Sequence, residues 1–312
     1  PMKKAIVFGG AGFLGSHVAD ALSDAGWSVR IFDREASPYL REGQEMIVGD
    51  ILDFDAVAKA ARGCSAVYQF AAVMSIDEAK RRPIEAVRVN VLGTTNALEA
   101  ARLAKADRFL FASTVYVYGR SGGIYRATKQ ACEQLVETYQ EEYGLDYTIL
   151  RYGSLYGRRA NDNNGIHRML ASALESGKIR YAGTGEELRE YIHVDDAARL
   201  SVEALKPEFA NLPLVLTGHH PMRVRDVMEM LREMLGGKVE IELTNEPLEG
   251  HYNVTPYQFH PRVGKKLVGT LYTDMGQGLL DCLAEIQSGR HALKSPSRPA
   301  VKVAPKARKK RG

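Results

Sequence analysis

The 312-residue chain has only three cysteines, Cys64, Cys132 and Cys282, far apart and odd in number. Such sparse thiols exclude a disulfide framework and point to a reducing cytoplasm. No apolar run approaches the roughly 20 residues that cross a bilayer, so membrane insertion is not expected. The N-terminal stretch MKKAIVFGGAGFLGS is apolar, but its glycines and the lack of a cleavage-type site argue against a signal peptide. Pro1, ahead of Met2, is set aside as extraneous to the natural chain. His219 and His220 precede Pro221 with no third ligand in register, so no metal is expected. Acidic residues are absent from 289–312, GRHALKSPSRPAVKVAPKARKKRG, which holds nine of the 42 Lys and Arg. The net charge of +4 therefore belongs to this tail, since the body keeps 33 basic against 38 acidic residues, a charge of −5. The tail is rich in Pro, Ser and Ala and reads as disordered. It is either a solvated extension or a contact for RNA, acidic lipid or another polyanion; nucleic acid is not expected to bind elsewhere.

Short β-branched runs fill the first 150 residues: KAIVF (4–8), SVRIF (28–32), EMIVG (45–49), AVYQF (66–70), RFLFA (108–112) and YTIL (147–150). Amphipathic stretches near 13–25, 53–62, 83–104 and 125–143 separate them, with Pro83 suited to a first helical turn. Uniformly apolar strands alternating with helices predict a parallel sheet covered on both faces, a Rossmann-type doubly wound α/β domain over 2–150. Beyond Arg151 the helical patterns at 166–175, 194–205, 223–235 and 276–286 alternate with short strands such as LPLVLTG and KVEIEL. This predicts a smaller α/β substrate lobe over 151–288, before the tail at 289–312.

Gly9, Gly12 and Gly15 follow the first predicted strand and open the first helix, with Phe13 and Leu14 between them. Glycines there let the backbone approach a pyrophosphate, and the helix N-terminus offers N–H donors. Asp33 ends the second strand, where a carboxylate accepts from both ribose hydroxyls and repels a 2′-phosphate. NAD is therefore expected over NADP, with Arg34 adjacent. Asp50 and Ile51 follow the third strand, at the expected adenine position; Asp50 also suits a helix-initiating role. Ala71 and Ala72, both small, end the fourth.

Thr114 ends the fifth strand, at the carboxyl edge where such sheets bind ligands. Tyr125 and Lys129 lie four apart in a helical pattern, on one face. An ammonium beside a phenol favours the phenolate and is expected to lower its pKa from about 10, making Tyr125 a proton acceptor. Tyr116 and Tyr118 lack a lysine at that spacing and read as packing or pocket-wall residues. Cys132 reads as a small core residue of the Tyr125 helix, and His193 as a packing residue.

GGAGFLG, Asp33, VGDILD, VNVLGTTNALEAA, FASTVYVYG, YRATK, RYGSLYG and GTGEELREYIHVDDAA, in this order over residues 3 to 205, carry a resemblance. The chain resembles an extended short-chain dehydrogenase/reductase of the nucleotide-sugar epimerase/dehydratase group, UDP-glucose 4-epimerase-like. The resemblance implies Tyr125 as acid/base, Lys129 as its electrostatic partner and ribose ligand, and Thr114 as the hydroxyl at the reacting sugar oxygen. It implies further cofactor contact at Tyr152, and substrate contact at Met74, Thr114, Ser154 and Arg189. Arg189 matches an arginine that clamps the substrate diphosphate; a surface ion pair with Glu190 is its other reading. Ser154 stands where many epimerases have asparagine. The helices at 83–104 and 125–143 form a homodimer interface in relatives.

Departures narrow the chemistry. Val115 and Tyr116 stand where the resembled dehydratases carry acids, and the glutamate of the decarboxylases is missing too. HYNVTPYQFHPRVGKKLV, in the C-terminal region, is unlike the family pattern. Only eleven positions separate Thr114 from Tyr125, fewer than in many relatives. A fully extended connection of that length still spans about 35 Å, so the expectation is an intact site with a shortened flap and a more open pocket. The leading expectation is NAD-dependent C4 epimerisation of a UDP-hexose through a transient 4-keto intermediate. The alternatives are an NAD(P)H-dependent reductase of a 4-keto nucleotide sugar and a non-catalytic NAD-binding protein whose basic tail recruits a partner.

Overall fold

The computed structural model describes residues 3–246, 250–254 and 265–292. In its first half β1 (Lys4–Phe8) leads through α1 (Phe13–Asp24) to β2 (Ser28–Asp33) and β3 (Glu45–Val48), then α2 (Phe54–Ala61) and β4 (Ala66–Gln69). Next come α3 (Ile76–Arg81), α4 (Pro83–Val87), a π-helical turn at Arg88–Leu92 and α5 (Gly93–Leu103), followed by β5 (Arg108–Thr114), α6 (Gly123–Tyr143) and β6 (Tyr147–Tyr152). The second half holds β7 (Ser154–Tyr156), α7 (Gly165–Ser176), β8 (Lys178–Tyr181), β9 (Leu188–Arg189), β10 (Tyr191–His193) and α8 (Val194–Glu203). It continues with β11 (Leu212–Leu216), β12 (Met222–Arg223), α9 (Val224–Met234), β13 (Glu240–Leu243), β14 (Lys265–Lys266) and α10 (Met275–Ala292).

Eight strands form one parallel sheet in the order β14-β11-β6-β5-β4-β1-β2-β3. The order reverses between β1 and β4, the switch point at which doubly wound sheets open a ligand crevice. Strand alternation divides the core into two layers. Val7, Tyr68, Leu110 and Leu150 pack with Val18 and Leu22 of α1 and Leu200 of α8. Ile6, Phe109, Phe111 and Ile149 pack with Val57, Leu98 and Val136 of α2, α5 and α6. Each such large side chain contributes about 1.5–3 kcal/mol by leaving water. A third cluster, including Leu170, Val227, Leu231 and Leu279, joins α7, α9 and α10.

Three features differ from the sequence reading. Strand β11, expected in the second lobe, pairs with β6 and extends the main sheet, carrying β14 on its outer edge. Its residues are almost all buried, which suits an interior parallel strand and is ambiguous in sequence alone. The helix expected at 83–104 is interrupted by the π turn, where Asn90 Oδ1 accepts from Val73 N–H at 2.7 Å and Asn90 Nδ2 donates to Thr128 at 3.0 Å. Finally, α10 continues past the expected end at 286 to Ala292, because Arg, His and Ala allow a helix that no proline stops before Pro296. Residues 293–312, the rest of the expected disordered tail, lie outside the described residues. Among the described residues no helix is long and apolar enough to cross a membrane.

Candidate active site

The glycine turn is fixed by contact. Gly9 has φ +79°, and a Cβ there would lie 2.5 Å from Ala71 N; one on Gly15 would lie 2.2 Å from Gly9 O. No side chain is tolerated at either place, so the loop closes tightly between β1 and β4. α1 then opens at Gly12 without a side-chain cap, leaving its first N–H groups for an anion. Asp33 is aimed by two backbone donors, with Ala11 N–H at 3.0 Å on Oδ2 and Arg34 N–H at 2.7 Å on Oδ1.

These elements line a cavity of about 290 Å³. Gly9, Gly12, Phe13, Leu14, Gly15, Asp33, Arg34, Asp50, Ile51, Ala71 and Ala72 lie along it, and Met74, Thr114, Tyr125, Lys129 and Tyr152 share its walls. Asp50 also accepts from Leu52 N–H at 2.9 Å, the loop role its position suggested. The sequence reading missed Glu78, Arg82, Glu85 and Val89 on the same wall. Arg82 lies 3.5 Å from Glu78 and 4.0 Å from Glu85, a helical charge pattern that looks like an ordinary solvated face. Ser154 and Arg189 do not line this cavity. Arg189 is buried, with its guanidinium 4.4 Å over the Tyr252 ring and Nη1 donating to Leu188 O at 2.9 Å. Glu190, its alternative partner, is bonded by Lys266 at 2.9 Å.

Thr114 ends β5, and Tyr125 and Lys129 stand one turn apart on α6. Shielding by the cavity walls pushes the Tyr125 phenol up to about 12, opposed by a hydrogen bond with Thr114. Burial draws the Lys129 ammonium down to about 8, against the partial support of Cys132 and Glu133. Its Nζ donates to Ala112 O at 2.8 Å and lies 5.8 Å from the centre of the Tyr125 ring. The Tyr125 phenol therefore stands above its usual value rather than below it, because burial outweighs any help from Lys129. An ammonium that discharges near pH 8 is neutral before a phenol near 12 ionises. Lys129 supports a phenolate only below its own pKa.

The segment Gly250–Val254 covers the turn between Thr114 and Tyr125. Gly250 O accepts from Gly122 N–H at 2.7 Å, and Asn253 O accepts from Leu188 N–H at 2.6 Å. Tyr116 packs on Tyr252 at 4.7 Å between ring centres and bonds His251 Nδ1 at 2.7 Å. Of the remaining candidates, His193 Nδ1 accepts from Asp195 N–H at 3.3 Å, capping α8, and Cys132 is buried in α6. His219 lies against Tyr272, 4.4 Å between ring centres with the rings tilted by 48°. Among the described residues no three His, Cys, Asp or Glu side chains converge as metal ligands.

A doubly wound sheet with a glycine turn, an acid ending β2 and a Thr/Tyr/Lys set at its carboxyl edge defines a dinucleotide-dependent short-chain dehydrogenase/reductase. The chain belongs to the NAD-dependent epimerase/dehydratase family, whose model matches residues 5–212. Family members are enzymes, and NAD is the cofactor. The chain is 32% identical to a UDP-N-acetyl-α-D-glucosaminuronate decarboxylase of Bacillus cytotoxicus, over 65% of this chain and 71% of that one. It is 28% identical to a UDP-glucuronate 4-epimerase of Thermodesulfobacterium geofontis, over 77% and 83%. Its fold matches the crystal structure of UDP-glucose 4-epimerase from Thermotoga maritima at a TM-score of 0.79 and 24% identity, covering 92% and 99%.

The cavity fits NAD. The glycines let the turn close against β4, α1 presents uncapped N–H groups, and Asp33 is aimed by two backbone donors at the end of β2. When bound, NAD supplies the hydride acceptor and, in its oxidised form, a positive ring. Gly9 to Gly15 would hold the pyrophosphate, Asp33 a ribose and Lys129 the other ribose.

Proposed function

We propose that this protein is an NAD-dependent epimerase of a nucleotide sugar, inverting C4 of a UDP-hexose through a transient 4-keto sugar. The observation that carries this reading is that Thr114, Tyr125 and Lys129 line one wall of the cavity that the glycine turn and Asp33 also line, with Lys129 one helical turn from Tyr125. Thr114 orients the sugar hydroxyl, Tyr125 takes its proton as the hydride leaves carbon, and the same phenol returns that proton after the hydride comes back to the other face. Val115 and Tyr116 offer no carboxylate beside the reacting centre, which disfavours elimination of water or loss of carbon dioxide. Arg189 is the group we assign to the diphosphate, and Met74 and Ser154 to the sugar side. We place the enzyme in a reducing cytoplasm, where its buried thiols stay free.

As part of the same proposal the protein is a homodimer through α4, α5 and α6. Ile84, Val87, Leu92 and Leu103, on α4, the π turn and α5, are 78%, 47%, 47% and 54% exposed, apolar side chains that a second copy would cover.

Purified protein should interconvert two UDP-hexoses without added cofactor, and Tyr125→Phe should lose at least a thousand-fold in kcat while still binding NAD. Stoichiometric consumption of reduced nicotinamide with a 4-keto sugar would establish the reductase instead. Undiminished turnover by Tyr125→Phe would overturn both.

A further inference from the structure

The segment HYNV at 251–254, which fits no family pattern, delivers an imidazole and a second aromatic ring against the catalytic turn. Tyr116 lies two residues past Thr114, in the short helical turn that Thr114 caps. Its ring stands edge-on to Tyr125, with 6.4 Å between centres. Its hydroxyl reaches one partner among the described residues, His251 Nδ1 at 2.7 Å. The roles in this bond depend on the imidazole tautomer; with the phenol as donor, Nδ1 accepts and the single proton of the neutral imidazole stands on Nε2. That nitrogen has no hydrogen-bond partner among the described residues, and His251 is only half-buried. Burial and the neighbouring Arg189 hold the imidazole neutral by lowering its pKa; Asp77 from α3 raises it and Arg168 from α7 lowers it. Gly250, one residue earlier, is in contact range of Ile76 just beyond Met74. His251 thus stands against the turn that follows Thr114, beside the start of α3 and next to the residues that line the cavity.

The geometry points to Tyr116 and His251 as a specificity pair for the sugar. His251 Nε2–H donates to a hydroxyl oxygen next to the reacting carbon, and Tyr116 is the positioning residue that fixes the imidazole tautomer. The pair brings a distant part of the chain against the short connection after Thr114. This inference rests on the proposed nucleotide-sugar function, and its test separates the two.

Binding of UDP and of UDP-hexoses to the full-length, NAD-loaded protein is measured by calorimetry for wild type, His251→Ala, His251→Gln and Tyr116→Phe. The loss of one hydrogen bond weakens UDP-hexose binding roughly five- to ten-fold in His251→Ala and Tyr116→Phe. UDP alone binds as to wild type, and His251→Gln, which keeps a donor, recovers part of the loss. Imidazole nitrogen resonances report Nε2 protonated in wild type and a mixture of tautomers in Tyr116→Phe. If His251→Ala fails to fold, the other two variants carry the comparison. Equal weakening of UDP and UDP-hexose, no weakening of either, or an Nδ1-protonated wild type would overturn the pair. Wild-type protein that binds UDP but no UDP-hexose would overturn the proposed function itself.

Discussion

Replacing Lys129 by methionine should make the protein more stable and nearly inactive. Lys129 is 4% exposed, and its ammonium is drawn from 10.5 to about 8 by burial. That displacement corresponds to about 3 kcal/mol of cost for keeping the charge inside the fold. The sign follows from proton counting. Between pH 8 and 10.5 the unfolded chain keeps the lysine proton and the folded chain does not. Stability of the wild type therefore rises with pH across that window and is lowest, as far as this group is concerned, below pH 8. The thioether carries no charge, so in Lys129→Met the rise disappears and the variant gains up to about 3 kcal/mol at pH 7, less the hydrogen bond to Ala112. Activity moves the other way. At 5.8 Å from the ring centre and an effective dielectric constant of about 20, the ammonium stabilises a phenolate by about 3 kcal/mol, so kcat should fall on the order of a hundred-fold. Urea unfolding at pH 7 and pH 10, paired with turnover at pH 7, measures both effects. A variant no more stable than wild type, together with a wild type whose stability is flat across the window, would refute the claim that Lys129 is a buried, strained cation.

Gly15→Ala should lose bound NAD, because its Cβ would lie 2.2 Å from Gly9 O and must push the turn open; the dinucleotide content of the purified variant reads this directly. Asp33→Asn removes the charge that repels a 2′-phosphate, and the preference for NAD over NADP should narrow about ten-fold, measured by competitive binding. Ile84→Glu combined with Leu92→Glu places charge on the exposed apolar side of α4 and the π turn, so sedimentation should show a monomer that retains its fold.

Local features were legible in the sequence and non-local ones were not. The glycine turn, Asp33 and the Tyr125–Lys129 spacing depend on a few neighbouring residues, and the cavity brings all of them together. The six strands of the first half showed themselves as apolar runs bounded by helices. Strand β11 was found but misassigned to the second lobe, because its burial on both faces carries no sign of which sheet it joins. The π turn was hidden inside a continuous helical pattern, although Asn90 in VNVLGT is what ties Val73 to α6. The covering role of residues 250–254 was beyond reach, since Tyr116 and His251 are 135 positions apart. The pKa ordering of Tyr125 and Lys129 failed for a related reason. Spacing shows that the groups are close, but not that both are out of water.

That ordering bears on how the site chooses its moment to act. With the phenol near 12 and the ammonium near 8, Tyr125 is protonated at neutral pH and serves as a proton donor by default. Turning it into an acceptor near pH 7 requires about 7 kcal/mol, of which Lys129 gives about 3. The remainder must come from a second positive charge that is present only when oxidation is about to occur, and an oxidised nicotinamide is such a charge. Under the proposed function, deprotonation of Tyr125 would then follow the oxidation state of the cofactor, so that a sugar alcohol would meet a base and a keto sugar an acid. Protein stripped of dinucleotide should then release a proton when it binds NAD⁺ and none when it binds NADH. Calorimetry in two buffers of different ionisation enthalpy measures the difference, and Tyr125→Phe must abolish it. Equal proton release with both forms would show that the phenol does not sense the cofactor's charge.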